Sequence, residues 1–247
     1  MRRRDFLLAA ACMPFAGVNG DLATARDHAA KRLAYLNRPL NLAFEGDSIT
    51  LGENATPGLD FPAQVARILQ GQAPAPRVFA TNSATLVQDR LDKSQATNYI
   101  TYGPREAAVD ASFVTGSTNV LSVFAGTNDM KRLGATAEST RDAYGDYIAR
   151  RLKRGWTVMY WTVLPRSATD TPPAFEDERQ KFNKYVRDFS FDNAILVDIA
   201  ADQAMGGFGD SDKAEFYQQP GKVHPADAGY SRIASLAARR LLEGPCF

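Results

Sequence analysis

Five short apolar runs recur along the chain, at 40–44, 77–81, 119–125, 157–164 and 194–199. Most are unbroken rather than alternating, and they are rich in Val, Ile, Leu and aromatic residues. A strand with one wet face alternates apolar and polar residues, whereas a strand buried on both faces does not. Such runs must be covered above and below. Stretches with helical spacing lie between them. Residues 62–70 place Val65, Ile68 and Leu69 on one side. Residues 136–154 carry Tyr144, Tyr147, Ile148 and Leu152, with Gly155 placed to end the helix. Residues 176–189 carry Phe182, Tyr185, Val186 and Phe189, and residues 227–242 carry Tyr230, Ile233, Ala237 and Leu241 before the Gly244-Pro245 stop. Residues 21–37 read as a further helix leading into the first strand, and 86–118 as helix plus loop. This alternation predicts an α/β fold, a three-layer α/β/α sandwich around a five-stranded parallel sheet.

The rest of the sequence narrows what such a sheet can serve. With 247 residues, 45% of them hydrophobic, the chain can bury a proper core. Lys plus Arg number 29 against 28 for Asp plus Glu, so no basic footprint for nucleic acid exists. Two cysteines, Cys12 and Cys246, exclude a disulfide scaffold and a cysteine-built zinc site. Two histidines, His28 and His224, leave almost no choice if the chemistry needs an imidazole.

The first residues read as an address rather than as fold. Arg2-Arg3-Arg4 runs into an apolar stretch that ends near Pro14 to Gly17, the layout of an export signal. Arg3-Arg4-Asp5-Phe6-Leu7 resembles a twin-arginine motif, and Ala23-Thr24-Ala25 offers a cleavage site. Residues 1–25 are therefore expected to be removed on export to the periplasm or beyond, leaving a single domain over 26–247. No integral membrane segment is expected after that removal.

The polar oddities fall just after the strands. Gly46-Asp47-Ser48-Ile49-Thr50 follows the first, Asn82-Ser83-Ala84-Thr85 the second, Gly126-Thr127-Asn128-Asp129 the third, and a long loop after the fifth ends in His224-Pro225. Ligands of open parallel sheets bind beyond the carboxyl ends of the strands. Singly, Asp47 or Ser48 reads as a helix cap and Asn128-Asp129 as a turn. Gathered at one sheet edge, the serine, the asparagine and the histidine read as a site. The glycines around Ser48 lack the spacing and the lysine of a phosphate loop.

These blocks resemble those of the SGNH hydrolases, also called GDSL esterases and lipases. Gly46-Asp47-Ser48 is similar to the family's first block, Gly126-Thr127-Asn128-Asp129 to its Gly-x-Asn-Asp block, and His224-Pro225 to its C-terminal histidine block. The resemblance implies the flavodoxin-like form of the α/β/α sandwich. It also implies a serine esterase with Ser48 as nucleophile and His224 as base, needing no metal or organic cofactor. The implied oxyanion hole consists of the Ser48 N–H, an N–H near Ser83 (Asn82 being the neighbouring choice) and the Asn128 amide. Asp47 and Asp129 are expected to brace loops. The expected substrates are small-molecule or glycan esters, short-chain or carbohydrate O-acyl esters foremost. A weak or inactive glycan-binding relative and an acyltransferase using the same site are the alternatives. Two departures stand out. The family glycine after the second strand is missing, and Asn82 is a residue able to take the left-handed conformation in its place. The family's Asp three residues before the histidine is here Gly221. A carbonyl of residues 218–221, or Asp210, Asp212 or Glu215, is then the expected support for His224; Asp227, three residues after it, is available too but is expected rather to supply favourable charge at a helix N-terminus. Tyr99, Tyr102, Phe208, Phe216 and Tyr217 are aromatics available either to sugar rings or to the core.

Overall fold

A computed structural model of the chain describes residues 37–69, 75–86, 99–101, 103–168 and 171–245. The expected export signal, residues 21–36 of the expected helix over 21–37, Cys12, His28, Tyr102 and Cys246 lie outside the described residues. The order of elements is β1 (Leu40–Gly46), α1 (Ser48–Leu51), α2 (Phe61–Ile68), β2 (Arg77–Val78), α3 (Gly103–Ala111), β3 (Thr118–Phe124), α4 (Thr127–Arg132), α5 (Ala137–Lys153), β4 (Thr157–Trp161), α6 (Phe175–Arg187), β5 (Ala194–Val197) and α7 (Asp227–Glu243). Every strand pairing is parallel, in the order β2-β1-β3-β4-β5. That is the flavodoxin-like order of a doubly wound sheet.

Both faces of the sheet are covered, as the unbroken runs require. Leu40, Leu42 and Phe44 of β1 face one way, with Val120 and Phe124, and pack on Phe61 and Val65 of α2 and on Tyr230, Ile233 and Leu241 of α7. Ala43, Leu121, Val123, Val158 and Tyr160 face the other way, onto Tyr144, Tyr147 and Ile148 of α5 and Phe182 and Val186 of α6. Each such fully buried side chain contributes about 1.5–3 kcal/mol of transfer free energy. Ser122 sits within this apolar strand because its Oγ accepts from Trp161 Nε1 at 2.9 Å.

Helix starts follow their caps. Asp60 accepts from the Ala63 N–H ahead of α2, and Thr136 from the Ser139 N–H ahead of α5. Two strands are shorter than their apolar runs. The run at 77–81 keeps only two strand residues, although Phe79 N–H still reaches Phe44 O and Thr81 N–H reaches Gly46 O. The run at 157–164 leaves the ladder after Trp161, where the Asn183 side chain of α6 accepts from Val163 N–H at 2.6 Å.

The end of β1 leaves no room for a side chain at residue 46. A Cβ on Gly46 would lie 2.2 Å from Thr50 Oγ1 and 2.5 Å from the Phe124 carbonyl oxygen. Gly46→Ala is expected to cost about 1–3 kcal/mol, because backbone of β3 must shift to admit the methyl. A thermal or denaturant melt checks this, and an unchanged midpoint would refute it.

Candidate active site

The turn that carries Ser48 is built by its neighbours. Asp47 Oδ1 accepts from Ile49 N–H at 2.9 Å and so caps the single turn of α1. Gly52, at φ 81°, closes that turn in the left-handed conformation that glycine adopts without strain. Ser48 thereby sits at the first helical position, just beyond the carboxyl end of β1. His224 comes from the opposite side, on the loop before α7. Gln218 N–H donates to the His224 carbonyl at 3.0 Å, and Ala226 N–H to that of Phe216 at 2.8 Å. Together they bring His224 Nε2 to 2.9 Å from Ser48 Oγ.

The ring is half-buried. Loss of solvent lowers the His224 pKa below its usual value, the Glu53 charge opposes that fall, and Arg166 reinforces it. The imidazole is thus neutral at pH 7, and with Nδ1 protonated its Nε2 accepts from the Ser48 hydroxyl. Among the described residues no group accepts a hydrogen bond from His224 Nδ1.

Residues 81–86 form the third wall. Ser83 has φ 60°, so the left-handed residue of this loop is Ser83 rather than Asn82. Asn128 Nδ2 donates to the Ala84 carbonyl at 3.1 Å and to Asp47 Oδ2 at 3.2 Å. Asp129 accepts from Leu86 N–H through both oxygens, at 2.9 and 3.0 Å, and Arg132 donates to the Ser83 carbonyl at 3.0 Å. Asp47 and Asp129 are therefore loop braces, as expected. Among the described residues neither the Ser48 N–H nor the Ser83 N–H has a protein acceptor. Burial pushes the Asp47 carboxyl up to about 7, with Asp129 adding to the rise.

Four residues that the sequence patterns did not single out, Arg105, Glu45, Arg166 and Glu53, shape the same region. Arg105 donates to Glu45 Oε1 at 3.0 Å, to the Gly46 carbonyl at 2.9 Å and to Thr81 Oγ1 at 3.2 Å. It ties the end of β1 to the second loop. Burial raises buried Glu45 to about 7 even with Arg105 beside it, and Tyr147 hydroxyl donates to its other oxygen. Arg166 follows β4 and lines a small cleft with Ile49, Phe124, Leu164, Pro165 and Val223. Glu53 accepts from Asn82 Nδ2 at 2.9 Å. None of these belongs to a recognisable motif, and each is identified by its three-dimensional contacts alone.

Several of the supports expected for His224 are engaged elsewhere. Asp227 accepts from Thr56 N–H and Oγ1 at 2.9 and 2.7 Å. Asp212 pairs with Lys222 and with the Ser167 hydroxyl, and Asp210 with Lys213 and the Gly207 N–H. Glu215 is exposed. The Gln218 carbonyl accepts from Lys222 N–H at 2.8 Å. Of the aromatics, Tyr217 is buried in the core, Phe216 packs against it, and Phe208 is 76% exposed. Among the described residues no cluster of His, Cys, Asp and Glu is arranged to hold a metal, and no helix is long and apolar enough to cross a membrane.

Residues 44–232 match the family model described as GDSL-like Lipase/Acylhydrolase family. Solved structures share the fold at low identity. A carbohydrate acetylesterase family member from Sinorhizobium meliloti is 13% identical with a TM-score of 0.60, over 82% of this chain and 99% of that one. A member of the lipolytic protein G-D-S-L family from Veillonella parvula is 15% identical with a TM-score of 0.57, over 81% and 97%. An active-site mutant of a family two carbohydrate esterase from Clostridium thermocellum is 17% identical with a TM-score of 0.53, over 84% and 64%. No curated protein matches the sequence.

Proposed function

Because this chain belongs to the GDSL-like lipase/acylhydrolase family, the SGNH hydrolases, we propose that it is a serine esterase working through an acyl-enzyme on Ser48. The observation that carries this reading is the 2.9 Å contact between His224 Nε2 and Ser48 Oγ at the carboxyl edge of the sheet. Ser48 Oγ attacks the ester carbonyl as its proton passes to His224 Nε2. The oxyanion meets the unengaged N–H groups of Ser48 and Ser83 and draws one Asn128 hydrogen away from Asp47. His224 returns the proton to the leaving alcohol, and water, activated by the same imidazole, clears the acyl group.

Short acyl groups on carbohydrate or other small alcohols are the substrate class. Phe208 offers an exposed aromatic face of the kind that stacks on a sugar ring. The basic and apolar start of the chain supports export, which brings the enzyme to envelope or extracellular esters. That no acceptor meets His224 Nδ1 among the described residues favours, as the second reading, a catalytically weak relative that binds such glycans.

Intact mass after treatment with a fluorophosphonate tests the reading. One adduct is expected, and it disappears in Ser48→Ala. The labelling rate should fall on acidification as His224 gains its proton. Since desolvation holds the His224 pKa below 6.5, that fall centres below pH 6.5. A folded protein that takes no adduct at any pH would remove the esterase reading in favour of binding without turnover.

A further inference from the structure

We propose that Arg105 of α3 is the positioning residue of the oxyanion hole, its guanidinium fixing the Ser48 and Ser83 N–H groups relative to one another. The inference rests on the Ser48–His224 reading above. The two N–H groups belong to separate loops, one after β1 and one after β2, and Arg105 holds both with one planar fork. Its Nη2 donates to the Gly46 carbonyl at 2.9 Å, two residues before Ser48. Its Nη1 donates to Thr81 Oγ1 at 3.2 Å, two residues before Ser83. Its Nε donates to Glu45 Oε1 at 3.0 Å, and the Glu45 side chain is fully buried. The Tyr147 hydroxyl donates to the other Glu45 oxygen, so the carboxylate that anchors the fork is itself held. The helix that carries Arg105 is docked as well. Arg151 of α5 donates to Glu106 Oε2 at 2.9 Å and to Asp110 Oδ1 at 2.6 Å, both on α3. The Arg105 side chain is 9% exposed, so these bonds are shielded from competing water.

Ser83 is the reason the second loop needs such a hold. Its φ of 60° is strained for a residue with a Cβ, and it persists only where the surroundings impose it. The bonds on either side do so. Thr81 N–H donates to the Gly46 carbonyl and Ala84 N–H to the Thr81 carbonyl, each at 3.2 Å, and Arg132 donates to the Ser83 carbonyl at 3.0 Å. Arg105 adds the hold on the Thr81 hydroxyl and shares the Gly46 carbonyl with the Thr81 N–H. One acceptor thus joins the exit of β1, the second loop and α3. An oxyanion donor is effective when it is aimed before the charge develops, so the spacing of these loops bears directly on rate. Arg105 bonds to Glu45, Gly46 and Thr81 rather than to the reacting atoms, and it acts through the two loops. Lysine offers its donors from a single point and cannot reproduce the fork.

The test is Arg105→Lys, which keeps a cation beside buried Glu45 but removes the fork. Thr81→Val, at an exposed position, is the milder companion. On an acetate ester kcat should fall roughly 10- to 100-fold in Arg105→Lys at nearly constant KM, and roughly 3- to 10-fold in Thr81→Val. The deciding readout is the ratio of kcat on the ester to kcat on the matching thionoester. N–H donors aimed at an oxyanion favour oxygen over sulfur, which is larger and a weaker acceptor, so the ratio should fall together with kcat. An equal loss on both substrates would overturn the proposal and leave Arg105 as a support of the fold only. An unchanged kcat in a folded Arg105→Lys would overturn it too. Should a thermal melt show that Arg105→Lys does not fold, an unmoved ratio in Thr81→Val overturns it instead. Failure of the esterase reading shows separately, as a wild-type protein that takes no fluorophosphonate. Crystal structures of the wild type and the folded variant then decide the role of Arg105. Ser83 should leave the left-handed region in the variant, and a turn that stays near φ 60° would overturn the proposal.

Discussion

Replacing Ser48 by alanine should lower kcat on a short-chain ester by about 10⁴ or more, with the fold untouched. The size follows from what the hydroxyl does. Among the described residues it is the one group hydrogen-bonded to His224 Nε2, at 2.9 Å, and in the proposed mechanism it is the atom that takes the acyl group. The stability of the protein should not change, because the cap of α1 belongs to Asp47 and Ile49, and alanine suits a first helical turn. His224→Ala should lose a similar factor. The double variant should be no slower than either single one, since nucleophile and base act as a unit. Steady-state kinetics on an acetate ester, beside thermal melts, measure all three. A Ser48→Ala protein that retains a tenth of wild-type turnover would place the chemistry elsewhere.

The next largest effect belongs to Asn128→Ala, for which kcat should fall by about 10²–10³. An oxyanion donor is worth most where solvent is excluded, and Asn128 is 7% exposed. Its amide already lies between the Asp47 carboxyl and the Ala84 carbonyl, at 3.2 and 3.1 Å. It need only exchange one of these acceptors for the oxyanion, with little reorganisation. KM should change little, because the donor matters most when charge develops in the transition state. The variant should also lose about 1–3 kcal/mol of stability, since the Ala84 carbonyl is left buried without its donor. A drop confined to stability, with kcat intact, would make Asn128 a loop brace only. Kinetics at a temperature well below the melting point of the variant separate the two.

The sheet was legible because burial on both faces leaves a compositional mark. The unbroken runs at 40–44, 119–125 and 194–199 each became a parallel strand, and 136–154 became α5 almost to the residue. The limits of 77–81 and 157–164 were not legible. They depend on where the Asn183 side chain takes over a strand N–H and on how far an edge strand keeps its partner. That Ser48, Asn128 and His224 gather at one sheet edge was legible because short motifs mark the turns that carry them. The left-handed residue of the second loop was assigned one position early. Asparagine tolerates that conformation well, but the bonds of Thr81 and Ala84 place the bend at Ser83.

The sequence by itself determined the order of strands and helices, the layers of the sandwich, and which side chains lie beyond the carboxyl edge. Periodicity, caps and turn residues are local, and they act through neighbours a few positions away. Only the tertiary structure decided what surrounds His224. Gly221 announces a missing carboxylate, yet the candidates near it in sequence face Lys213, Lys222 and Thr56. The group that does meet the ring, the Ser48 hydroxyl at 2.9 Å, stands 176 positions earlier in the chain. Coulomb energy depends on distance in space and on the solvent between the charges, and neither quantity is written in the spacing of residues along a chain.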